Sequence, residues 1–524
     1  MNASPAPATD AGAPDRIDAS VLKLAGVVVL GAIMSILDIT VVNVAMPTFQ
    51  TEFDVANYST VAWTVTAYTL ALATVIPLTG WAADRFGTKR LYMTALVLFT
   101  VGSVLCALSW NIGALIGFRV IQGLGGGMLM PLGMTIMTKA AGPERMGRLM
   151  AILGVPMLLG PILGPILGGW LIEDASWHWI FLINLPLGVI ALGYAWFILP
   201  KDEPQAGEAF DFVGMLMLSP GLALFLYGIS SIPEEGTVAT PKVWATMLVG
   251  GALVVAFVFY SFKPKNPLLD LRLFQNRDLT VATVTMFLFS ASFFGGLLLI
   301  PTYFQQVRGE SALLAGLLVA PQGIGSLLTM PIAGMLVDKL PVGRVVPVGL
   351  AVLTATMFGL TQIEADSSYF YVLGVLFVMG LGMGLTMMPL MTAALRTLNE
   401  AQVARGSTLL NIIQQIASSV GVAVISVVLT NRMQNSEAVS AGQAMMEAQR
   451  TGEQPDPSVL QYIASLGDKF ETVMLGEMSD AYAGTFWVAF ALCLVTLGFS
   501  VLLPRKASAV AKSDSDTPAP VLMH

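Results

Sequence analysis

The sequence predicts an all-α polytopic membrane protein: two six-helix bundles with two further helices inserted between them. Three observations predict it. Of 524 residues, 55% are hydrophobic and only 11% are charged, where a soluble domain carries about a quarter charged residues. The apolar residues run in stretches of about twenty, not in the short alternating segments of an outer-membrane barrel. Finally, a block in the first half of the chain returns in the second. A soluble enzyme of this length would need polar surfaces for several domains, and this composition cannot cover them.

The elements follow in order. Residues 1–20, rich in Ala, Pro and Asp, read as a disordered cytoplasmic tail. The first apolar run, 24–46, is long enough to span a bilayer and is followed by no small-residue cleavage site, so it stays in place. Runs follow at 58–82, 91–110, 112–137, 149–172, 178–199, 212–232, 242–262, 280–304, 312–337, 345–363, 370–395, 409–431 and 481–503, which makes fourteen spans. An even count puts both termini on one side. With the N-terminus in the cytoplasm, twenty Lys and Arg fall inside, five fall outside, and Arg119 lies within a helix. The positive-inside rule therefore places both termini, and residues 83–90, in the cytoplasm of a multi-pass protein of the cell's inner membrane.

The expected organisation is a first six-helix bundle at 21–211, two linker helices within 212–279, a second bundle at 280–504, and a cytoplasmic tail at 505–524. The long external excursion is 431–480, with eight acidic against three basic residues. Its spacing suggests one or two amphipathic helices around Pro455 and Pro457. It reads either as a solvated cap or as a lid or docking surface for a periplasmic or envelope adaptor protein.

The repeat is legible directly. Gly80-Trp-Ala-Ala-Asp84-Arg85 follows one apolar run and Gly334-Met-Leu-Val-Asp338-Lys339 another. Residues 123–135 match 380–392 at seven of thirteen positions without a gap. A duplicated helical bundle is the expected architecture of a secondary transporter.

Asp38 is the sole carboxylate, and Arg119 the sole cation, well inside a predicted span. Counted from the outer ends of their runs, both lie roughly 10–12 Å deep at about 1.5 Å per residue. Intramembrane charges are costly, pair with one another and mark function. The pair reads either as a permanent structural ion pair or as a protonation switch, with Asp38 ionised against Arg119 or protonated when cargo is bound. The stretch Gly160-Pro161-Ile-Leu-Gly164-Pro165-Ile-Leu-Gly168-Gly169 combines kinking prolines with glycines spaced for close helix approach, as a seal or as ordinary packing. Methionines crowd the fourth and twelfth spans and, with Phe293 and Trp63, could line an adaptable pocket or simply fill the core. The candidate substrate contacts are Asp38, Asn43, Trp63, Gln122, Met128, Phe293, Met387 and Gln414.

Several chemistries are not expected. No GxxxxGK[ST] pattern is present, and the glycines at 123–127 lie in mid-span without a preceding strand, so ATP-driven transport by this chain alone is not indicated. HExxH is absent, and two cysteines and two histidines offer no metal cluster. No cofactor, catalytic residue or nucleic-acid partner is expected. The partners are a small amphipathic molecule, protons and membrane lipid.

At these residues the chain closely resembles the major facilitator superfamily, and within it the fourteen-span drug:proton antiporters of the EmrB/QacA type. Leu37-Asp38, Thr40, Asn43, Ala45 and Pro47 match that family's first-helix signature. Gly80, Asp84, Arg85, Gly87, Lys89 and Arg90 match the superfamily's loop motif. Arg119, Gln122, Gly123 and Gly125 match the fourth-helix motif, and Gly160, Gly164, Pro165, Gly168 and Gly169 the antiporter motif. Trp177, Trp179, Asn184, Pro186 and Gly188 match a further block. His178 stands where that family commonly has Arg, and the second-half loop Asp338–Arg344 is stretched. The resemblance implies the superfamily fold and efflux of amphipathic or cationic drugs against inward proton flow by alternating access. It also implies that the Asp84 cluster is a cytoplasmic latch holding the two bundles together in the outward-open state. Export of one endogenous amphiphile, a lipid or a siderophore, fits the same residues.

Overall fold

The computed structural model describes residues 19–55, 58–141, 146–202, 210–235, 239–396, 398, 402–451 and 454–505. The expected terminal tails lie outside the described residues, apart from residues 19, 20 and 505. All regular structure among the described residues is helical. The first half comprises α1 (Ala19–Glu52), α2 (Tyr58–Phe86), α3 (Thr88–Ala107), α4 (Ile112–Ala141), α5 (Met146–Asp174), α6 (His178–Leu182) and α7 (Asn184–Ile198). Then come α8 (Phe212–Glu235) and α9 (Pro241–Tyr260). The second half comprises α10 (Arg277–Gln306), α11 (Ala312–Lys339), α12 (Val342–Leu360), α13 (Tyr369–Gly384), α14 (Met387–Leu395), α15 (Val403–Gln434), α16 (Glu437–Thr451), α17 (Pro457–Leu466) and α18 (Phe470–Ser500).

Thirteen stretches among the described residues are long and apolar enough to cross a membrane. They coincide with thirteen of the fourteen expected spans. At the remaining one stands α5, whose 29 residues give it the length to cross. Two spans are interrupted, each with a proline just beyond the interruption. Pro186 has no N–H for the carbonyl of Leu182, where α6 ends before α7 begins at Asn184. Pro389 likewise leaves the carbonyl of Leu385 without a donor, and the chain breaks there between α13 and α14.

The repeat is visible in the packing. In the first half α1 packs on α5, α2 on α4, α3 on α4, and α3 on α7. In the second, α10 packs on α15, α11 on α13, α12 on α13, and α12 on α18. The halves meet where α5 packs against α11 and α14, and where α2 and α4 pack against α15. The inserted pair is not a detached linker. α8 packs on α9, but also on α2 and on α15, and so bridges the two halves. Its lower end is tied by buried Asp211, which accepts from Gly214 N at 2.8 Å, Tyr260 Oη at 2.9 Å and Leu268 N at 3.0 Å.

The excursion at 431–480 is shorter as a loop than its apolar boundaries suggest. α15 runs on to Gln434 and α18 begins at Phe470, eleven residues before the expected span at 481. A helix needs no apolar residues once it leaves the bilayer, so hydropathy alone underestimates its length. Where one or two amphipathic helices are expected, the structure has two, α16 and α17. α16 lies on α18, with Gly442 facing Met474. α17 starts at an Asp456 cap that accepts from Ser458 N at 2.8 Å, and it buries none of its residues.

Candidate functional site

The two intramembrane charges meet. Asp38 of α1 and Arg119 of α4 form an ion pair at 2.5 Å between Oδ2 and Nη1, and both side chains are fully buried. Glycines make the meeting possible. A Cβ on Gly123 would stand 2.6 Å from the backbone carbonyl of Tyr68 on α2. One on Gly125 would stand 2.4 Å from the backbone nitrogen of Phe99 on α3. α4 is therefore wedged between α2 and α3 at a spacing that only glycine permits, and its Arg119 is carried into the centre of the half.

The pair sits in a wider polar network. Arg119 Nε donates to the carbonyl of Thr64 at 2.9 Å, and Nη1 also donates to Gln122 Oε1 at 2.8 Å. The guanidinium lies 4.1 Å from the centroid of the Tyr68 ring, a cation–π contact strengthened by the lack of water. The other carboxylate oxygen, Asp38 Oδ1, accepts from Gln122 Nε2 at 2.7 Å and Asn184 Nδ2 at 3.4 Å. Both amides also donate to Ser103 Oγ at 3.0 Å, and Ser103 in turn donates to the carbonyl of Phe181 at 2.9 Å. Donors from α4 and α7 thus converge on one carboxylate, and α2 and α3 hold those donors in turn. In a membrane interior each of these groups would be costly alone; together they satisfy one another except at Arg119 Nη2, which is buried without a hydrogen-bond partner.

Glycines of α5 face the same helix α1. A Cβ on Gly160 would meet Ile36 Cγ2 at 2.1 Å, and one on Gly164 would meet Thr40 Oγ1 at 2.2 Å. At Gly168 the nearest atom is Val41 Cγ1 at 3.3 Å, and at Gly169 nothing lies within 4 Å. The approach is therefore tightest at Gly160 and Gly164, looser at Gly168 and absent at Gly169. The side chain of Pro165 lies outside the described residues.

The Asp84 cluster divides. Asp84 Oδ2 faces Arg405 Nε of α15 across the two halves at 3.9 Å. Gly80 lies against the same segment, where a Cβ would stand 3.3 Å from Arg405 Cα. Lys89, by contrast, works within the first half: its Nζ donates to the carbonyls of Trp196 and Leu199 at 2.6 and 2.8 Å, at the end of α7. Gly87 takes φ +95°, and Asp202 occupies the space a Cβ would need, 2.2 Å away at Cγ. From there Asp202 accepts from the backbone nitrogens of Lys89 and Arg90 at 2.7 and 2.9 Å, capping α3. Arg85 and Arg90 are exposed. A cavity of about 520 Å³ opens here, lined by Asp84, Lys139 and Lys201 among others.

The candidate substrate contacts do not converge on one described cavity. Gln122 is committed to the Asp38 network. Phe293 is buried in the second half and stacks on Phe289 at 5.5 Å. Met128 and Met387 are buried as well, Gln414 is half-buried, and Asn43 is exposed. Trp63 faces Tyr227 of the inserted α8 at 5.4 Å between ring centroids. Sequence reasoning passed over Ser103 entirely and met Asn184 only through a resemblance. The signal available was that each is a polar side chain within an apolar run. The partners Arg405 and Asp202 carried no local signal, since only tertiary packing brings them to Asp84 and α3.

The family model described as Major Facilitator Superfamily matches residues 28–422. The chain is 45% identical over 516 residues to a "Multidrug resistance protein B homolog" of Mycobacterium tuberculosis, covering 96% of this chain and 95% of that protein. It is 32% identical over 405 residues to the "Multidrug export protein EmrB" of Haemophilus influenzae, covering 77% and 79%. Among solved structures, the human organic anion transporter MFSD10 aligns with a TM-score of 0.58 at 16% identity, covering 90% of this chain and 99% of that one. The proton:xylose symporter XylE aligns with a TM-score of 0.55 at 16% identity, covering 90% and 94%. At such identities these two speak for the fold alone.

Proposed function

The chain belongs to the major facilitator superfamily and is a multi-pass membrane transporter, not an enzyme; from that premise we propose that it exports amphipathic or cationic drugs in exchange for protons. The observation that carries the reading is the fully buried Asp38–Arg119 pair. It is a titratable group with a fixed counter-charge in a low-dielectric site, where protonation changes the balance of a large electrostatic interaction. Breaking such a pair by removing one partner costs about 3–5 kcal/mol. Each proton entering down a gradient supplies about 1.4 kcal/mol per pH unit and about 2.3 kcal/mol per 100 mV. The names of the two relatives support drugs as the cargo class.

In this reading the arrangement is outward-facing, in the inner membrane with both termini cytoplasmic. The contacts at Asp84–Arg405 and Gly80–Arg405 close the cytoplasmic end. Gly154 of α5, against Met330 of α11 and Met388 of α14, adds to that closure. A proton reaches Asp38 from outside as cargo leaves. Neutralising Asp38 releases its hold on Arg119, and the halves rock to open the Asp84 end. Met128 and Met387 are the side chains suited to repacking around varied cargo once that seam opens.

The test is efflux of a fluorescent cationic drug by purified protein in liposomes under an imposed pH gradient. Uphill accumulation that collapses with a protonophore is expected, and transport indifferent to the gradient would sink proton coupling. The orientation is checked by cysteine labelling from each side: residues 83–90 should react only from the cytoplasm and 437–466 only from outside.

A further inference from the structure

Every hydrogen bond that Asp38 receives comes from a donor. Oδ2 accepts from Arg119 Nη1, and Oδ1 accepts from the amide nitrogens of Gln122 and Asn184. That wiring suits an ionised carboxylate and offers no acceptor to a carboxyl proton. Asp38 is 2% exposed, so a protonated Asp38 would have to leave its O–H unpaired or find an acceptor among its neighbours.

The two amides differ in what holds them. Gln122 Oε1 accepts from Arg119 Nη1 at 2.8 Å and faces Cys106 Sγ at 3.5 Å. Turning that amide over would set its N–H groups against the guanidinium. Asn184 enters the network only through Nδ2, which reaches Asp38 Oδ1 and Ser103 Oγ. A half-turn about its terminal torsion exchanges the NH2 for the carbonyl oxygen at the same place. That oxygen would then accept the Asp38 O–H. Ser103 can turn its own proton from the Phe181 carbonyl to the same oxygen.

We propose that Asn184 is a positioning residue that reads the protonation state of Asp38, inverting its side-chain amide when the carboxyl takes up a proton. The inference rests on Asp38 being the proton site. A proton from the outer water forms one O–H bond on Asp38 Oδ1, and the same bond breaks when the proton leaves to the cytoplasm. Asn184 then turns back. The charged and titratable groups that face Asp38 are Arg119 from α4, Tyr68 from α2 and Cys106 from α3. Tyr68 Oη is engaged with Ser35 Oγ at 3.1 Å, α5 brings glycines to the neighbouring Ile36 and Thr40, and α7 brings the neutral Asn184 amide.

The experiment is infrared difference spectroscopy between alkaline and acidic pH on the full chain in liposomes, paired with efflux assays. Wild type should show a protonated-carboxyl band on acidification that Asp38→Asn lacks. In Asn184→Leu, which keeps the branching at Cγ but has no polar atoms, the band should persist and move to higher wavenumber as its acceptor is lost. Gradient-driven efflux should fall roughly tenfold, the loss of one hydrogen bond to a charged or titrating group, while downhill exchange survives. Asn184→Ala gives the same reading should the leucine variant insert poorly. An Asp38 band unmoved in either variant, with wild-type efflux, overturns the role of Asn184 and leaves Asp38 as the proton site. A wild-type protein without an Asp38 band overturns the proton reading itself, and this inference with it.

Discussion

The two halves share a packing plan but not a chemistry. Their helices pair in the same pattern, yet the repeat block that carries Arg119 and Gln122 in α4 carries Leu376 and Met379 at the matching positions of α13. All four are fully buried. Where the first half spends its interior on a network around Asp38, the second fills the same place with apolar side chains. The acidic ends of α2 and α11 differ in a parallel way. Asp84 faces Arg405 across the halves, whereas Asp338 pairs with Arg396, and Arg396 also donates to the carbonyl of Val337, all within the second half. Duplication preserved the backbone because helix packing depends on small residues and shape. The apolar side chains at the matching positions fit a membrane interior, which penalises every polar group that has no task.

The largest expected effect tests that asymmetry at its centre. Asp38→Asn should abolish gradient-driven efflux while leaving downhill exchange or drug binding measurable, because asparagine keeps the shape but cannot titrate. Met379→Leu, at the place matching Gln122, should stay within about twofold of wild type, since volume-conserving apolar swaps cost under about 1.5 kcal/mol. Uphill accumulation by Asp38→Asn at the wild-type rate would move the coupling site elsewhere. Arg119→Ala should lose transport and much of its folded yield, since it strands a buried carboxylate at about 3–5 kcal/mol.

A smaller effect grades the glycines of α5. Gly160→Ala and Gly164→Ala drive a methyl into Ile36 and Thr40, and overpacking of this kind costs about 1–3 kcal/mol. Gly168→Ala needs only a slight shift of Val41, and Gly169→Ala meets nothing. Thermal unfolding in detergent should therefore order the variants Gly164 and Gly160 lowest, Gly168 next, and Gly169 at wild type. Gly164→Leu should in addition stop transport. An equal loss at Gly169 would mean that α5 works through a surface other than α1.

The smallest effect separates the two acidic ends. The Asp84–Arg405 pair is partly exposed and 3.9 Å apart, so it contributes under about 1 kcal/mol. Asp84→Asn should shift the balance between open and closed cytoplasmic ends by no more than roughly fivefold. Spin-label distances between the ends of α2 and α15 would read that shift. Asp338→Asn should lower the unfolding temperature, because it breaks the pair with Arg396.

Much of this was legible beforehand, and the reason is specific. A bilayer admits only helices with satisfied backbones, so apolar run length located thirteen spans that meet the criterion and the site of α5. The duplicated block marked the pairs that pack alike, and the rarity of charge in the runs singled out Asp38 and Arg119 before any coordinates. Their shared depth was countable at a fixed rise per residue. Hydropathy misplaced the starts of α15 and α18, because it measures the slab and not the helix.

The sequence by itself determined the class of fold, the number of membrane crossings to look for, and the identity of the buried charged pair. Each follows from a one-dimensional cost, that of placing polar groups in hydrocarbon. Tertiary structure alone decided which neutral groups surround that pair. Ser103 and Asn184 are 81 residues apart in the chain and 3.0 Å apart in space, and nothing local to either states that Asn184 reaches Asp38 or that Ser103 accepts from its amide. It also decided that Lys89 caps α7 while Asp84 faces Arg405, that Trp63 rests on Tyr227, and that α8 bridges the halves. Hydrogen bonds and close approaches are short-ranged and directional, so they are settled only when helices distant in sequence have already been packed together.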